Sequence, residues 1–287
     1  MYQKNNFPKK DGAKKETSWG GVASWYDELL EKQDGTFQKE VILPNLMRMI
    51  SKTAHLKDNK LPLVGQKILD VACGQGFFSR EMAKAGAHVA GVDIANELIN
   101  IARNHPDRKT TETITYFVSS ADDLSFAKTG SVDTVTIVLA LQNIENFHGT
   151  IVECARVLKP APSGGRLFIV LNHPAFRVPK HSSWQWADDE GIHGVQYRRI
   201  DAYMSESRVR IDMNPGEDKP TAKKTTVSFH RPLQVYFKAL NKAGFAVSRL
   251  EEWISHKESK PGPRSNEENR IRKEIPMFLT LECTLVK

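Results

Sequence analysis

Between residues 67 and 171, short apolar runs alternate with stretches of helix length, and no other feature constrains this chain as strongly. The runs fall at 68–72, 89–92, 115–118, 134–139 and 167–171, with helical texture at 78–85, 95–104 and 150–158 between them. Strand, helix and strand repeating in this order predict a parallel sheet with right-handed crossovers and helices on both faces. Runs that are almost wholly apolar suit strands buried on both sides.

The flanks read differently. Val22, Trp25, Tyr26, Leu29 and Leu30, then Val41, Ile42, Leu46 and Met49, recur at mixed three and four spacing, so two amphipathic helices should precede the first strand. Beyond Asn172 the alternation breaks into a Pro, His and Trp-rich loop. Strands at 197–211 and 225–229 around a polar turn at 214–224 then predict one inserted β-hairpin. Pro232 should open a helix that Gly244 closes, followed by strands at 245–250 and 277–286 separated by a charged loop at 256–273.

Of the 287 residues, 40% are hydrophobic and 26% charged, ordinary globular proportions that argue against extended disorder. The net charge is +7, and Lys4, Lys9, Lys10, Lys14 and Lys15 concentrate it in an N-terminal arm. Such an arm is read as solvated and flexible. Cys73, Cys154 and Cys283 are far apart and lack zinc-ligand spacing, so no metal site is expected and reduced thiols in a cytoplasm are. No run of about 18 apolar residues suggests a membrane span.

Ile68-Leu69-Asp70-Val71-Ala72-Cys73-Gly74-Gln75-Gly76 is a buried strand running into a glycine turn and a helix. Gly74 and Gly76 let the backbone approach a ligand where a Cβ would collide. The next strand, Val89-Ala90-Gly91-Val92-Asp93, ends in an acid 17 residues after Gly76. A carboxylate there can accept from both hydroxyls of a ribose. Together these predict a Rossmann-like doubly wound α/β sheet with a nucleotide-containing ligand at its carboxyl ends.

LDVACGQG followed by VAGVD resembles the class I S-adenosylmethionine-dependent methyltransferases, over about 64–171. Phe229-His230-Arg231-Pro232 and Ala243-Gly244-Phe245 look like the last helix and turn of the small-molecule, ubiquinone-biosynthesis-like branch. The resemblance implies S-adenosylmethionine as cofactor, with Gly74 and Gly76 under its methionine part, Asp70 organising the turn and Asp93 on the ribose. At the third strand's end Ser120 stands where the family usually shows an acid for the adenine amino group. Its oxygen or Asp122 would take over, with the Ala121 N–H on a ring nitrogen. Gln142 and Asn143 fall beside the methyl and acceptor, and Tyr26 lies in the aromatic helix folded over the cofactor.

The implied organisation is a basic tail (1–17) and one methyltransferase domain (18–287). That domain divides into a helical lid (18–60), a cofactor core (61–172), a substrate cap (173–230) and closing elements (231–287). His173 and His230 are candidate general bases for a hydroxyl or carbon acceptor. Trp184 and Tyr197, beside cations such as Arg198, could cover a flat or anionic small-molecule acceptor. Three alternatives stay open. A nicotinamide-dependent oxidoreductase shares the turn and the acid, with Ser79 small enough for its third glycine position. An RNA or other macromolecule methyltransferase would use the positive charge, although no nucleic-acid module is visible. A cofactor-binding regulator without turnover is the third.

Overall fold

The computed structural model describes residues 19–51, 61–107, 114–162, 164–189, 192–212 and 225–286. Two sequence expectations, the basic arm at 1–17 and the polar turn at 214–224, lie outside them. Helices α1 (Ala23–Lys32) and α2 (Leu43–Ile50) come first, with a π-helical turn at Gln38–Ile42 leading into α2. Then β1 (Lys67–Val71), α3 (Phe77–Lys84), β2 (His88–Asp93), α4 (Asn96–Asn104) and β3 (Ile114–Val118) alternate. They continue through β4 (Thr134–Val138), α5 (Phe147–Val157) and β5 (Arg166–Asn172).

After the insertion come α6 (Leu233–Lys242), β10 (Phe245–Trp253), α7 (Ser265–Glu274) and β11 (Phe278–Leu285). They complete a seven-stranded sheet of order β10-β11-β5-β4-β1-β2-β3. Its pairs from β5 through β3 are parallel, and only β11 runs against its neighbours. The strand order reverses at β1, where β2 leaves on one side and β4 on the other, which is where open α/β sheets bind ligands.

Side chains alternate across the sheet with period two, and each face buries its own core. Leu69, Val71, Leu167, Ile169 and Leu171 pack on one face with α5 and α6 residues such as Ile151, Cys154, Tyr236 and Leu240. Ile68, Phe168 and Val170 pack on the other with Ile42 and Leu46 of the N-terminal helices and with Met82 and Ile99. That two-sided burial is the reason the strand segments read as continuous apolar runs.

Two expectations need correction. The insertion forms two hairpins rather than one: β6 (Ser182–Asp189) pairs with β7 (Ile192–Ile200), and β8 (Ser207–Asp212) with β9 (Thr225–His230). The stretch expected as a single strand at 197–211 is broken by a turn in which Ala202 takes φ +53° and Ser205 N–H donates to Ala202 O. The charged loop at 256–273 contains α7, whose only buried residue is Ile271. It has no apolar stripe to reveal it, and pairs such as Glu267–Arg270 carry its helical spacing instead.

Candidate active site

The glycine turn is built from left-handed backbone. Ala72, Gly74 and Gly76 hold φ of +55°, +59° and +84°, and Gly76 caps the start of α3. A Cβ on Gly76 would sit 2.4 Å from the buried Tyr116 hydroxyl, whereas one on Gly74 would meet only Tyr26, at 3.5 Å. Gly76 is therefore required by packing, and Gly74 faces open space.

Parallel pairing of Val71 with Val92 brings the turn beside the end of β2. There Asp93 Oδ2 accepts from Gly74 N–H (2.9 Å) and Oδ1 from Ala95 N–H (2.8 Å), so one carboxylate ties the turn to the start of α4. Burial pushes the Asp93 carboxyl up, against the pull of those backbone donors. Asp70 accepts from the hydroxyls of Ser79 (2.6 Å) and Thr136 (2.8 Å), and burial lifts its carboxyl to about 6 despite them. Ser79 thus serves the β1 acid.

A cavity opens over this turn. Its floor includes Asp70, Ala72, Gly74 and Asp93, its far wall Val138, Leu139, Ala140 and Asn143, and its roof Trp19 and Tyr26. The two roof rings meet edge to face with centroids 5.6 Å apart. Burial and the nearby Asp93 charge push the Tyr26 phenol up to about 12, so it stays protonated at neutral pH. Among the described residues this lining has two carboxylates and no Lys or Arg.

Ser120, Ala121 and Asp122 are not part of that lining. They sit just past β3, where Ser119 N–H donates to Asp93 O (3.1 Å). The Ser120 hydroxyl donates to Asp122, whose other oxygen accepts from Asn146 Nδ2 (2.7 Å) at the cap of α5.

After β4 the chain makes a 3₁₀ turn at Leu141–Asn143. Asn143 lines the acidic cavity, but Gln142 lines a second one of about 250 Å³ on the other side. Gln142 Nε2 donates to Leu139 O (2.7 Å), leaving its buried Oε1 without a partner. Arg177, Lys180, Arg198, His230 and Arg231 also line this second cavity, and no described carboxylate does.

His230 is buried, with Nε2 2.7 Å from Tyr203 O. A carbonyl can only accept, so Nε2 is the donor in that bond. Arg231 donates to the carbonyls of Leu141, Ile144 and Glu145 and stacks on Phe147 and Phe229. It anchors the wall between the cavities.

The remaining candidates lie farther off. Both ring nitrogens of buried His173 have partners: Ala175 N–H donates to Nδ1 (3.2 Å) and Nε2 donates to Glu252 (2.7 Å). Burial pulls its pKa down against Glu252, and it lines neither cavity. Trp184 belongs to an adjoining third cavity, under the Arg198 guanidinium at 4.8 Å. Tyr197 is exposed, its hydroxyl donating to Gln185. Sequence reasoning passed over Arg177, Lys180 and Arg231, although Arg231 stands in the quoted FHRP run.

A family model described as a methyltransferase domain matches residues 69–169. Over 110 residues the chain is 41% identical to a ubiquinone biosynthesis O-methyltransferase of Xanthomonas oryzae pv. oryzae, covering 38% of this chain and 44% of that protein. The corresponding Thiobacillus denitrificans enzyme is 35% identical over 118 residues, 41% of this chain and 50% of that one. The chain thus spans half or less of the length of these curated relatives. An S-adenosylmethionine-dependent methyltransferase structure from Mesorhizobium loti superposes with a TM-score of 0.61 at 23% identity, covering 86% of this chain and 99% of that one, a likeness of fold.

Proposed function

We propose that this chain, whose residues 69–169 match a methyltransferase-domain model, is a class I S-adenosylmethionine-dependent methyltransferase and transfers a methyl group from that cofactor to a small-molecule acceptor. The observation that carries the reading is the single rim formed by the left-handed Gly74 and the Asp93 carboxylate, joined by a direct hydrogen bond and opening on an acidic cavity. The residues fit the cofactor. A Cβ on Gly74 would intrude into the cavity, and among the described residues no cation there opposes a positive ligand.

When bound, S-adenosylmethionine supplies an electrophilic methyl group on a positively charged sulfur. Asp93 has lone pairs beyond those given to Gly74 and Ala95, and these would hold ribose hydroxyls. Ser120, Ala121 and Asp122, next along the rim, would meet the adenine end, while Trp19 and Tyr26 close the roof against water. Asp70 and Asp93 together favour a cation. Asn143 and Gln142 mark the partition, and the acceptor belongs on the Gln142 side.

The O-methyltransferase relatives make a hydroxyl oxygen the proposed acceptor atom. Such a group must shed a proton, and His230 Nδ1 would take it, worth about 10²- to 10⁴-fold in rate. His173 is a positioning residue for the loop after β5. Holding acceptor and donor at about 3 to 3.5 Å supplies roughly 7 to 11 kcal/mol more. The proposed division of labour gives 18–60 the role of lid, 61–172 that of cofactor core, 173–230 that of cap and 231–287 that of closing elements. Three free thiols support a cytoplasmic setting.

Calorimetry with S-adenosylhomocysteine and NADH tests the cofactor, and methyl-labelled S-adenosylmethionine incubated with fractionated cell extract tests the acceptor class. The expected result is tight S-adenosylhomocysteine binding and label in small metabolites. Binding of NADH alone, or label in RNA or protein, would overturn the proposal.

A further inference from the structure

Six cations, Arg177, Lys180, Arg198, Arg231, Lys257 and Arg272, line the second cavity and the adjoining third one, with Arg177 and Arg198 facing both. No described carboxylate lines either cavity, and among the described residues none of the six makes an ion pair. Their partners are neutral. Arg198 donates from Nε to Phe176 O (2.8 Å) and from Nη2 to Ser182 Oγ (2.7 Å), and Arg177 donates from Nη1 to Asn172 Oδ1 (3.1 Å). A guanidinium has five N–H groups, so each arginine keeps donors in a planar fork suited to a carboxylate or phosphate. Positive charges gathered without a directly paired carboxylate repel one another, and an anionic ligand relieves that repulsion; Arg272 reaches an acid, Glu268, through the bridging Ser259 hydroxyl.

From this juxtaposition we infer that the two cavities form one binding site for a small organic anion whose carboxylate or phosphate lies between Arg177 and Arg198. The shape favours a small molecule over a nucleic acid strand. Arg231 and His230 sit at depth, 4% and 3% exposed, and each cavity measures only about 250 to 310 Å³. Phe37, Phe176, Trp184 and Met277 provide an apolar wall in the third cavity for the rest of the ligand. The buried, unpartnered Gln142 Oε1 lines the second and would accept a hydroxyl or N–H of the same molecule. The inference rests on the acceptor side proposed above and names its charge class.

The test is calorimetric titration of the full chain, saturated with S-adenosylhomocysteine, against benzoate, phenyl phosphate, neutral benzamide and a short RNA oligonucleotide. Benzoate or phenyl phosphate should bind at least about tenfold more tightly than benzamide, and whichever is tighter identifies the anionic group. Arg177→Gln and Lys180→Gln change surface-accessible side chains and should keep the fold. Arg177→Gln should cut anion affinity about tenfold while leaving S-adenosylhomocysteine affinity unchanged. Equal binding of benzamide, no binding of either anion, tighter binding of RNA, or an affinity indifferent to both substitutions would each overturn the inference. Loss of S-adenosylhomocysteine binding by the parent chain would instead count against the methyltransferase reading.

Discussion

Replacing Asp93 by Asn probes two claims at once. The side chain of Asp93 accepts from Gly74 N–H and Ala95 N–H, both on buried residues. An amide has one acceptor oxygen, so in either orientation one of those donors faces an N–H₂ group. An unsatisfied buried donor costs about 1–3 kcal/mol. The substitution also removes a charge that burial disfavours, which offsets part of that cost and leaves a net destabilisation of about 1–2 kcal/mol. Binding should suffer further, because a charge-assisted bond to the ribose is worth roughly 1.5–3 kcal/mol, or about 10- to 100-fold in Kd. Urea unfolding of the free chain reads the first quantity, and calorimetry with S-adenosylhomocysteine reads the second. A variant as stable as the parent refutes the tie between turn and helix. A folded variant with parental affinity refutes the ribose placement.

Three other perturbations test separate parts of the site. Arg231→Met strips the carbonyls of Leu141, Ile144 and Glu145 of a shared donor and should lower stability by about 2–4 kcal/mol in urea unfolding; a change within error would show that the inter-cavity wall stands without it. Asp70, with its carboxyl near 6, is neutralised as pH falls, so affinity for cationic S-adenosylmethionine should weaken below about pH 6, and Asp70→Asn should flatten the profile; titration calorimetry across pH decides it, and a profile identical in both proteins counts against the assignment. Both glycines hold positive φ, so Ala at either should cost about 1–2 kcal/mol of stability, and Gly76→Ala should cost more because its Cβ overlaps the Tyr116 hydroxyl, while Gly74→Ala should add a loss of cofactor affinity; the reverse order in paired unfolding and binding measurements would contradict the roles given to the two glycines.

What was legible in the sequence was what local chemistry dictates. Residues such as Ile68, Leu69, Leu167 and Phe168 are apolar on both faces because the sheet is covered on both faces, so the strands could be found without the fold. Gly74, Gly76 and Asp93 were legible because a turn and a strand end each leave a short local signature. The two-hairpin cap was hidden by a turn at 201–206 that depends on Ala202 adopting an unusual backbone conformation. Helix α7 was hidden because its ion pairs leave no apolar stripe. The partners of His173 could not be read either, since Glu252 lies 79 residues away and reaches it only through the sheet. The gathering of Arg177, Arg198, Lys257 and Arg272 was invisible for the same reason, as cations scattered along a chain look like ordinary solvated surface.

Ala72 and Leu139 both hold positive φ, +55° and +52°, just past the ends of the neighbouring strands β1 and β4, and both line the acidic cavity. In non-glycine residues such backbone persists only where the surroundings over-determine it. The entrance between these strands is thus cut by main-chain curvature, pinned by Cys73 N–H on Val92 O and Leu139 N–H on Val170 O. Exchanging the side chains around it would retune what enters while leaving that main-chain outline in place.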